Sequence, residues 1–414
     1  MLGESILPGG QRPSWFWPAL TIAVCALLTG VMRVSIDSYA MFLLPLSNEL
    51  EWDRGQAGSL YGLTMLSFGL GCPLAGRLMD RLGPAWTYTI GLVAIAIAFF
   101  FASRIDCIFQ FMLTIGVLVG FGAALIGMVS HSWLLAHWYK DRLTMAISIA
   151  TAASGVSILI VAPIIQSFID MIGWRNVYYW MGIVVLGFAF AIPLLPWKAL
   201  RPAREIDYAA DHSSAQGKPF SWLMELIRDH RFLVLFGIQF LTAIGMFSLN
   251  PQTVAFLVEQ GFDPIFAASV FGAAGLAGSI GLIAFGWLTD RYGRFAGMTL
   301  SYLLSFTGLS FLLAILIMPS WWLLLGYILV FGPTFGSRGP ILNAMVPSIL
   351  GRGPRMGLIM GFVQLGMGSG AAVGATMGGF LRDYSGYGAV IAFAMAALAA
   401  ALFLYLSVGS VRRA

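Results

Sequence analysis

The chain has 414 residues, of which 59% are hydrophobic and only 10% charged, with a formal net charge of +5. Soluble domains carry roughly 25% charged residues to cover a water-facing surface, so this composition excludes a soluble globular protein of this length. The basic excess follows membrane topology, as set out below, and does not point to a nucleic-acid partner.

A bilayer core of about 30 Å is crossed by about 20 helical residues, and apolar stretches of that length recur along the whole chain. A spanning segment must satisfy its own backbone, as a helix or within a closed barrel. These stretches lack the period-2 alternation of barrel strands, so helices are expected. In chain order the spans are predicted at 17–47, 56–79, 86–104, 107–137, 143–169, 174–196, 231–258, 265–289, 296–318, 321–347, 355–381 and 385–408. The polar start, Met1 to Ser14, runs straight into the first span without the pattern of a cleavable signal peptide. Residues 197–230, rich in charge, read as a cytoplasmic linker between an N-terminal bundle (1–196) and a C-terminal bundle (231–414), and Phe220 to Ile227 within it reads as amphipathic. Cys25, Cys72 and Cys107 are scattered and form neither a disulfide framework nor a metal pattern. No metal or cofactor is expected.

Placing both termini in the cytoplasm puts seventeen of the 23 Lys and Arg on that side. Positive charge is retained there, so this orientation is expected, in the cytoplasmic (inner) membrane. Only Arg54, Arg104, Arg175 and Arg382 fall on the other side, and Arg33 and Arg338 fall within spans.

A charge at the bilayer centre costs about 2.5–3.5 kcal/mol on insertion scales, so it normally faces a cavity and serves a purpose. Three such groups stand out: Arg33 and Asp37 in the first span and Arg338 in the tenth. Arg33 and Asp37 are four apart and share a helical face; they read either as a permanent structural pair or as a site whose partners exchange. Arg338 lies among Pro333, Gly336, Gly339 and Pro340, so a packing contact with a freed backbone carbonyl is the alternative to a binding role. His131 in the fourth span reads as a proton relay or as a hydrogen-bonded packing histidine. Tyr39, Gln239, Asn343 and Gln364 are polar groups on the first, seventh, tenth and eleventh spans. Asn250-Pro251-Gln252 interrupts the seventh span, as a gate or a packing bend.

The chain also repeats itself. At an offset of 210, residues 59–83 align with 269–293, and nine of these 25 positions are identical: Ser59/Ser269, Gly62/Gly272, Leu66/Leu276, Gly71/Gly281, Gly76/Gly286, Leu78/Leu288, Asp80/Asp290, Arg81/Arg291 and Gly83/Gly293. Glu49 likewise meets Glu259, and Asp53 meets Asp263.

The shared core, G-x-L-x-D-R-x-G, resembles the signature loop of the major facilitator superfamily. Gly30-Val-Met-Arg33, Phe42-Leu-Leu-Pro45, Glu51-Trp52-Asp53-Arg54, Trp138-Tyr139-Lys140-Asp141-Arg142 and Gly173-Trp174-Arg175 resemble its bacterial monocarboxylate and oxalate/formate-type porters. The resemblance implies an all-α membrane protein of twelve transmembrane helices in two pseudo-symmetric six-helix bundles. It implies that Gly76, Asp80, Arg81, Gly286, Asp290 and Arg291 form gating loops latching the outward-facing state. It also implies that spans 1, 4, 7 and 10 line a central cavity, which would set Arg33 and Arg338 against one space from opposite bundles. Span 8 carries no charge where related porters carry an arginine, and span 11 offers only Gln364 where the oxalate porters carry a lysine.

The function expected is alternating-access transport of a small organic anion, a monocarboxylate, with proton symport, by a monomer in the lipid bilayer. Arg33, Arg338, Tyr39, Asn343 and Gln364 would bind the anion, and Asp37 and His131 would couple protons. The alternatives are anion exchange, drug or metabolite efflux, and a transporter-like sensor without turnover. An enzyme is not expected, since the spans hold no paired carboxylates, zinc motif or Ser/His/Asp arrangement.

Overall fold

A computed structural model describes residues 16–136, 138–139, 143–200, 226–350 and 356–407. Residues 201–225 of the expected linker, with most of its amphipathic stretch, lie outside the described residues. The described chain is helical throughout, with no strand. Nine of its stretches are long and apolar enough to cross a membrane.

Two of the nine hold two helices each. Arg54–Ala102 is interrupted at Gly83 (φ 76°) and Met356–Ser407 at Gly386 (φ 75°). Both glycines adopt the left-handed region that a Cβ makes costly, at the expected junctions of spans 2/3 and 11/12. Gly293 repeats the device at the junction of spans 8/9, with φ 89°. Trp321–Val330 and Arg338–Leu350, separated by a turn and a short 3-10 segment, occupy the place of span 10. Spans are numbered here in the order expected from sequence. The face at which the described chain starts and ends is the terminal face; the opposite one, holding residues 50–53, 103–107 and 260–263, is the distal face.

Four spans are broken near their middles, and they are spans 1, 4, 7 and 10. Span 1 breaks at Ser38, where the Met41 N–H turns back to the Ser38 carbonyl at 2.9 Å. Span 4 breaks at Ile126–Gly127, span 7 at 248–252 and span 10 at 331–337. Pro251 and Pro333 lack the N–H that a continuous helix would use. Ser38 and Ser248 are 210 residues apart, so the break is itself part of the repeat. A half-helix end inside a membrane leaves backbone groups without intrahelical partners, and such backbone is tolerated where it lines a cavity or is buried in protein.

The two bundles meet along two seams of small residues. On one, the Cβ missing from Gly62 would lie 2.7 Å from the Ala372 carbonyl oxygen, bringing span 2 against span 11. On the other, the Cβ missing from Gly272 would lie 2.7 Å from Leu159 Cα, bringing span 8 against span 5. Gly62 and Gly272 are repeat partners, so one sequence element builds both seams. Gly71 and Gly281 do the same inside the bundles, against span 4 (Ala124) and span 10 (Pro333). Without a hydrophobic drive between helices in lipid, close backbone approach supplies the attraction. Gly286 has open space around it. Gly272→Val is therefore expected to lower the melting temperature of the detergent-solubilised protein by several degrees, whereas Gly286→Ala leaves it within a degree or raises it; differential scanning fluorimetry reads both.

Candidate functional site

Asp37 is the last residue of the helix Phe16–Asp37, immediately before the span 1 break. Its carboxylate pairs with Arg33 Nη2 at 2.5 Å, one helical turn earlier. Asp37 is 4% exposed, whereas the Arg33 side chain keeps 23% of its surface accessible. The pair is thus buried at its acid and open at its base. Two further groups extend it. Tyr61 of span 2 donates its hydroxyl to Asp37 Oδ1 at 3.2 Å, and Asn250 Nδ2, in the span 7 break, donates to the Tyr61 oxygen at 3.1 Å. A chain of four side chains runs from the open guanidinium of one bundle into the broken helix of the other.

Arg338 sits elsewhere. It is 3% exposed, and its guanidinium lies over the Tyr302 ring at 4.4 Å. It donates to the Ser301 carbonyl at 2.9 Å, to Ser305 Oγ, and to Met246 Sδ at 3.3 Å. These partners belong to spans 9 and 7 of its own bundle. The expectation that Arg33 and Arg338 confront one shared space is corrected: span 10 turns Arg338 inward, where a hydroxyl, a carbonyl, a thioether and an aromatic face desolvate and hold the cation.

Tyr39 and His131 are likewise bonded within their own bundle. Tyr39 is 3% exposed and donates its hydroxyl to the Ala57 carbonyl at 2.7 Å, which fixes span 1 to span 2. His131, 3% exposed, bonds through Nδ1 to the Tyr88 hydroxyl at 3.1 Å, inside the N-terminal bundle. Its described partner is thus a tyrosine of span 3, and no described bond ties it to Asp37. Gln364 accepts from Gln239 Nε2 at 3.3 Å, joining spans 11 and 7. The side chains of Asn343 and Asp290 lie outside the described residues.

Ion pairing joins the bundles at the distal face. Glu259, at the end of span 7, takes Arg54 Nη2 at 2.8 Å on one oxygen and Arg382 Nη2 at 2.7 Å on the other. Arg54 belongs to span 2 and is 7% exposed. Next to it, the Gly55 N–H donates to Asp383 Oδ2 at 3.0 Å. The repeat partner of Glu259 behaves differently: Glu49 accepts from Trp174 Nε1 at 2.5 Å and pairs with Arg175 at 3.0 Å, both within its own bundle. Among the described residues, Arg54–Glu259 is the one ion pair that crosses between bundles. The topology pattern held a signal for this latch. Arg54, Arg175 and Arg382 are three of the four basic residues on the side depleted of them, and all three hold acids at the distal face.

The profile of the Major Facilitator Superfamily matches residues 22–308 and again 235–413. The chain belongs to the major facilitator superfamily. The double match agrees with the 210-residue repeat. Within the superfamily, the chain is 27% identical over 374 residues to monocarboxylate transporter 13 of Rattus norvegicus, covering 90% of this chain and 83% of that one. It is 26% identical over 390 residues to monocarboxylate transporter 11 of Mus musculus, covering 91% and 83%. The crystal structure of the nucleoside transporter NupG matches the fold with a TM-score of 0.67 over 94% of this chain and 98% of that one, at 14% identity. The protein is a multi-pass membrane transporter and not an enzyme.

The described contacts of Asp80, Arg291 and Gly76 in the superfamily loops at the terminal face lie within their own bundles. Asp80 accepts from Trp133 Nε1 of its own bundle at 2.9 Å. Arg291 lies over Trp287 and Tyr292 of its own helix, at 5.5 and 5.8 Å. Gly76 has only Val129 at 4.0 Å from the position of a Cβ. The molecule is therefore latched at the distal face. Neutralising Glu259 removes the counter-charge of a buried arginine, a large loss for an interior pair. In a Ser47→Cys background, Glu259→Gln should raise the labelling rate of that buried distal cysteine several-fold. Asp106→Asn, which removes one of the two acids that hold Arg175 within one bundle, should leave it unchanged.

Proposed function

We propose that this transporter carries a small monocarboxylate together with a proton across the cytoplasmic membrane, with both termini in the cytoplasm. The observation that carries the reading is the Arg33–Asp37 pair, buried at its acid and accessible at its base on a broken cavity span. Similarity to monocarboxylate transporters 13 and 11 supports the substrate class. On this orientation the distal latch closes the outer side.

The mechanism follows from charge. The empty site holds one cation and one anion, so it is neutral. A carboxylate entering from the cavity takes the Arg33 fork through two parallel N–H···O bonds. Asp37 then loses the cation that keeps it ionised, in a place where burial favours the neutral acid. A proton on Asp37 restores neutrality, with Arg33 paired to the substrate and Asp37 uncharged. Anion without proton leaves a net negative charge at membrane depth, and proton without anion leaves a net positive one. Both half-loaded states are costly in a low dielectric, so near neutral pH the two ligands bind and travel together, and the proton alone binds only as pH falls. The bundles then exchange access by rocking about the site.

Arg338 takes a supporting part in this reading: it ties span 10 to span 9 and to Met246, three residues before the turn at Leu249. Span 7 is where the two bundles meet at the site, so Arg338 shapes the cavity wall from behind.

Two substitutions separate these roles. Losing charge-assisted bonds worth about 1.5–3 kcal/mol corresponds to about 10- to 150-fold in affinity. Arg33→Gln should abolish the thermal shift induced by short monocarboxylates while leaving the ligand-free melting temperature nearly unchanged. Arg338→Gln should lower the ligand-free melting temperature and keep a shift. A monocarboxylate shift that survives intact in Arg33→Gln removes the anion site from Arg33.

Coupling is read in proteoliposomes. Wild-type protein should accumulate labelled monocarboxylate when the lumen is alkaline relative to the medium, and more slowly as external pH rises. Asp37→Asn should retain counterflow but lose accumulation. Proton-driven accumulation in Asp37→Asn would make Asp37 structural, and binding without uptake in the wild type would mark a sensor.

A further inference from the structure

The repeat gives a way to separate scaffold from function. Positions that hold the fold recur in both bundles, as Gly62/Gly272 and Ser38/Ser248 do. The four-residue chain does not recur. At the offset of 210, Arg33, Asp37 and Tyr61 meet Ala243, Phe247 and Phe271, and Asn250 meets Ala40. Pseudo-symmetry supplies an apolar residue at every corresponding place, so neither bundle needs these polar groups in order to pack.

Within the chain, Tyr61 holds the middle place. It is 1% exposed, its ring lies 6.1 Å from that of Tyr39 and 6.2 Å from that of Phe247, and its hydroxyl touches both bundles. The phenol has one proton. Given to Asp37, that proton leaves the oxygen free to accept from Asn250. A carboxylate acceptor makes this bond charge-assisted, roughly twice as strong as a neutral one, and polarises the phenol oxygen toward Asn250. The carboxyl, once protonated, is a weaker acceptor, and both bonds weaken together.

We propose that Tyr61 is the positioning residue through which the protonation state of Asp37 reaches the opposite bundle, by way of Asn250 at the span 7 break. This rests on the reading of Asp37 as the proton site and adds the route by which its charge acts on the conformation. The ionised pair holds the broken segments of spans 1 and 7 together beneath the distal latch; protonation loosens them and favours opening of the distal seam. Among the described residues, Arg33 on the same span and Tyr61 on span 2 are the charged or titratable groups that act on Asp37, and span 7 reaches it only through the Asn250 amide.

The test measures distance without substrate. Cys107, exposed in the distal loop before span 4, and a cysteine introduced by Ile317→Cys, at an 88% exposed distal position of the other bundle, carry spin labels in a Cys72→Ser background. The long-distance population should rise several-fold with Asp37→Asn, and in the wild type it should rise as pH falls. Tyr61→Phe keeps the ring packing and removes the hydroxyl. Its long-distance population should already be raised and flat with pH, and Asp37→Asn should add nothing to it. Asn250→Ala should behave like Tyr61→Phe. An Asp37→Asn effect, or a pH response, that is as large in Tyr61→Phe as in the wild type overturns the proposal, as does a wild type insensitive to both. If the response runs through Tyr61 but no monocarboxylate binds or is transported, the substrate assignment fails and the route stands.

Discussion

A charge at membrane depth must be neutralised where it stands, and this condition shapes the centre of the molecule. Asp37 is 4% exposed and its charged partner is one helical turn away on the same span. Because the pair is local, its geometry does not depend on how the bundles are arranged. The span 1 break directly after Asp37 places this pair beside the interrupted span 7, to which Tyr61 and Asn250 connect it.

The two bundles are copies, yet their ends at the distal face are not equivalent. Glu49 and Glu259 occupy corresponding positions and each holds an arginine from the far end of its own bundle, Arg175 or Arg382. Only Glu259 also receives an arginine from across the seam, Arg54, because span 2 begins with Arg54 whereas span 8 begins with Pro264 at the matching position. One substitution between the repeats turns a structural corner into a closure. At the terminal face the described contacts of Asp80 and Arg291 lie within their own bundle, in contrast to the ion pair that crosses at the distal face.

The residues expected to bind substrate divide by what their own bundle offers them. Tyr39 finds the Ala57 carbonyl, His131 finds the Tyr88 hydroxyl, and Arg338 finds Ser301, Ser305 and the Tyr302 face. A polar side chain in an apolar interior takes the nearest partner, and these three take theirs from neighbouring helices of the same bundle. Arg33 differs because part of its surface stays open. Tyr61 passed unnoticed in the sequence for the opposite reason. Its aromatic ring fits an apolar repeat in which the second copy carries Phe271, and nothing local marks its hydroxyl.

Sequence by itself determined the membrane class, the helical spans, the repeat and the superfamily. These depend on composition, on the length needed to cross a bilayer and on local motifs such as the glycine turns at Gly83 and Gly293. It also determined the Arg33–Asp37 pair, since four residues of helix place both groups on one face. Only the tertiary structure decided which way Arg338 turns, which glutamate crosses the seam, and that Tyr61 joins Asp37 to Asn250 over a separation of 189 residues. Periodicity gives the face of a helix but not the neighbour that face meets. For a buried polar group in an apolar surround, the neighbour decides between a packing bond and a binding site.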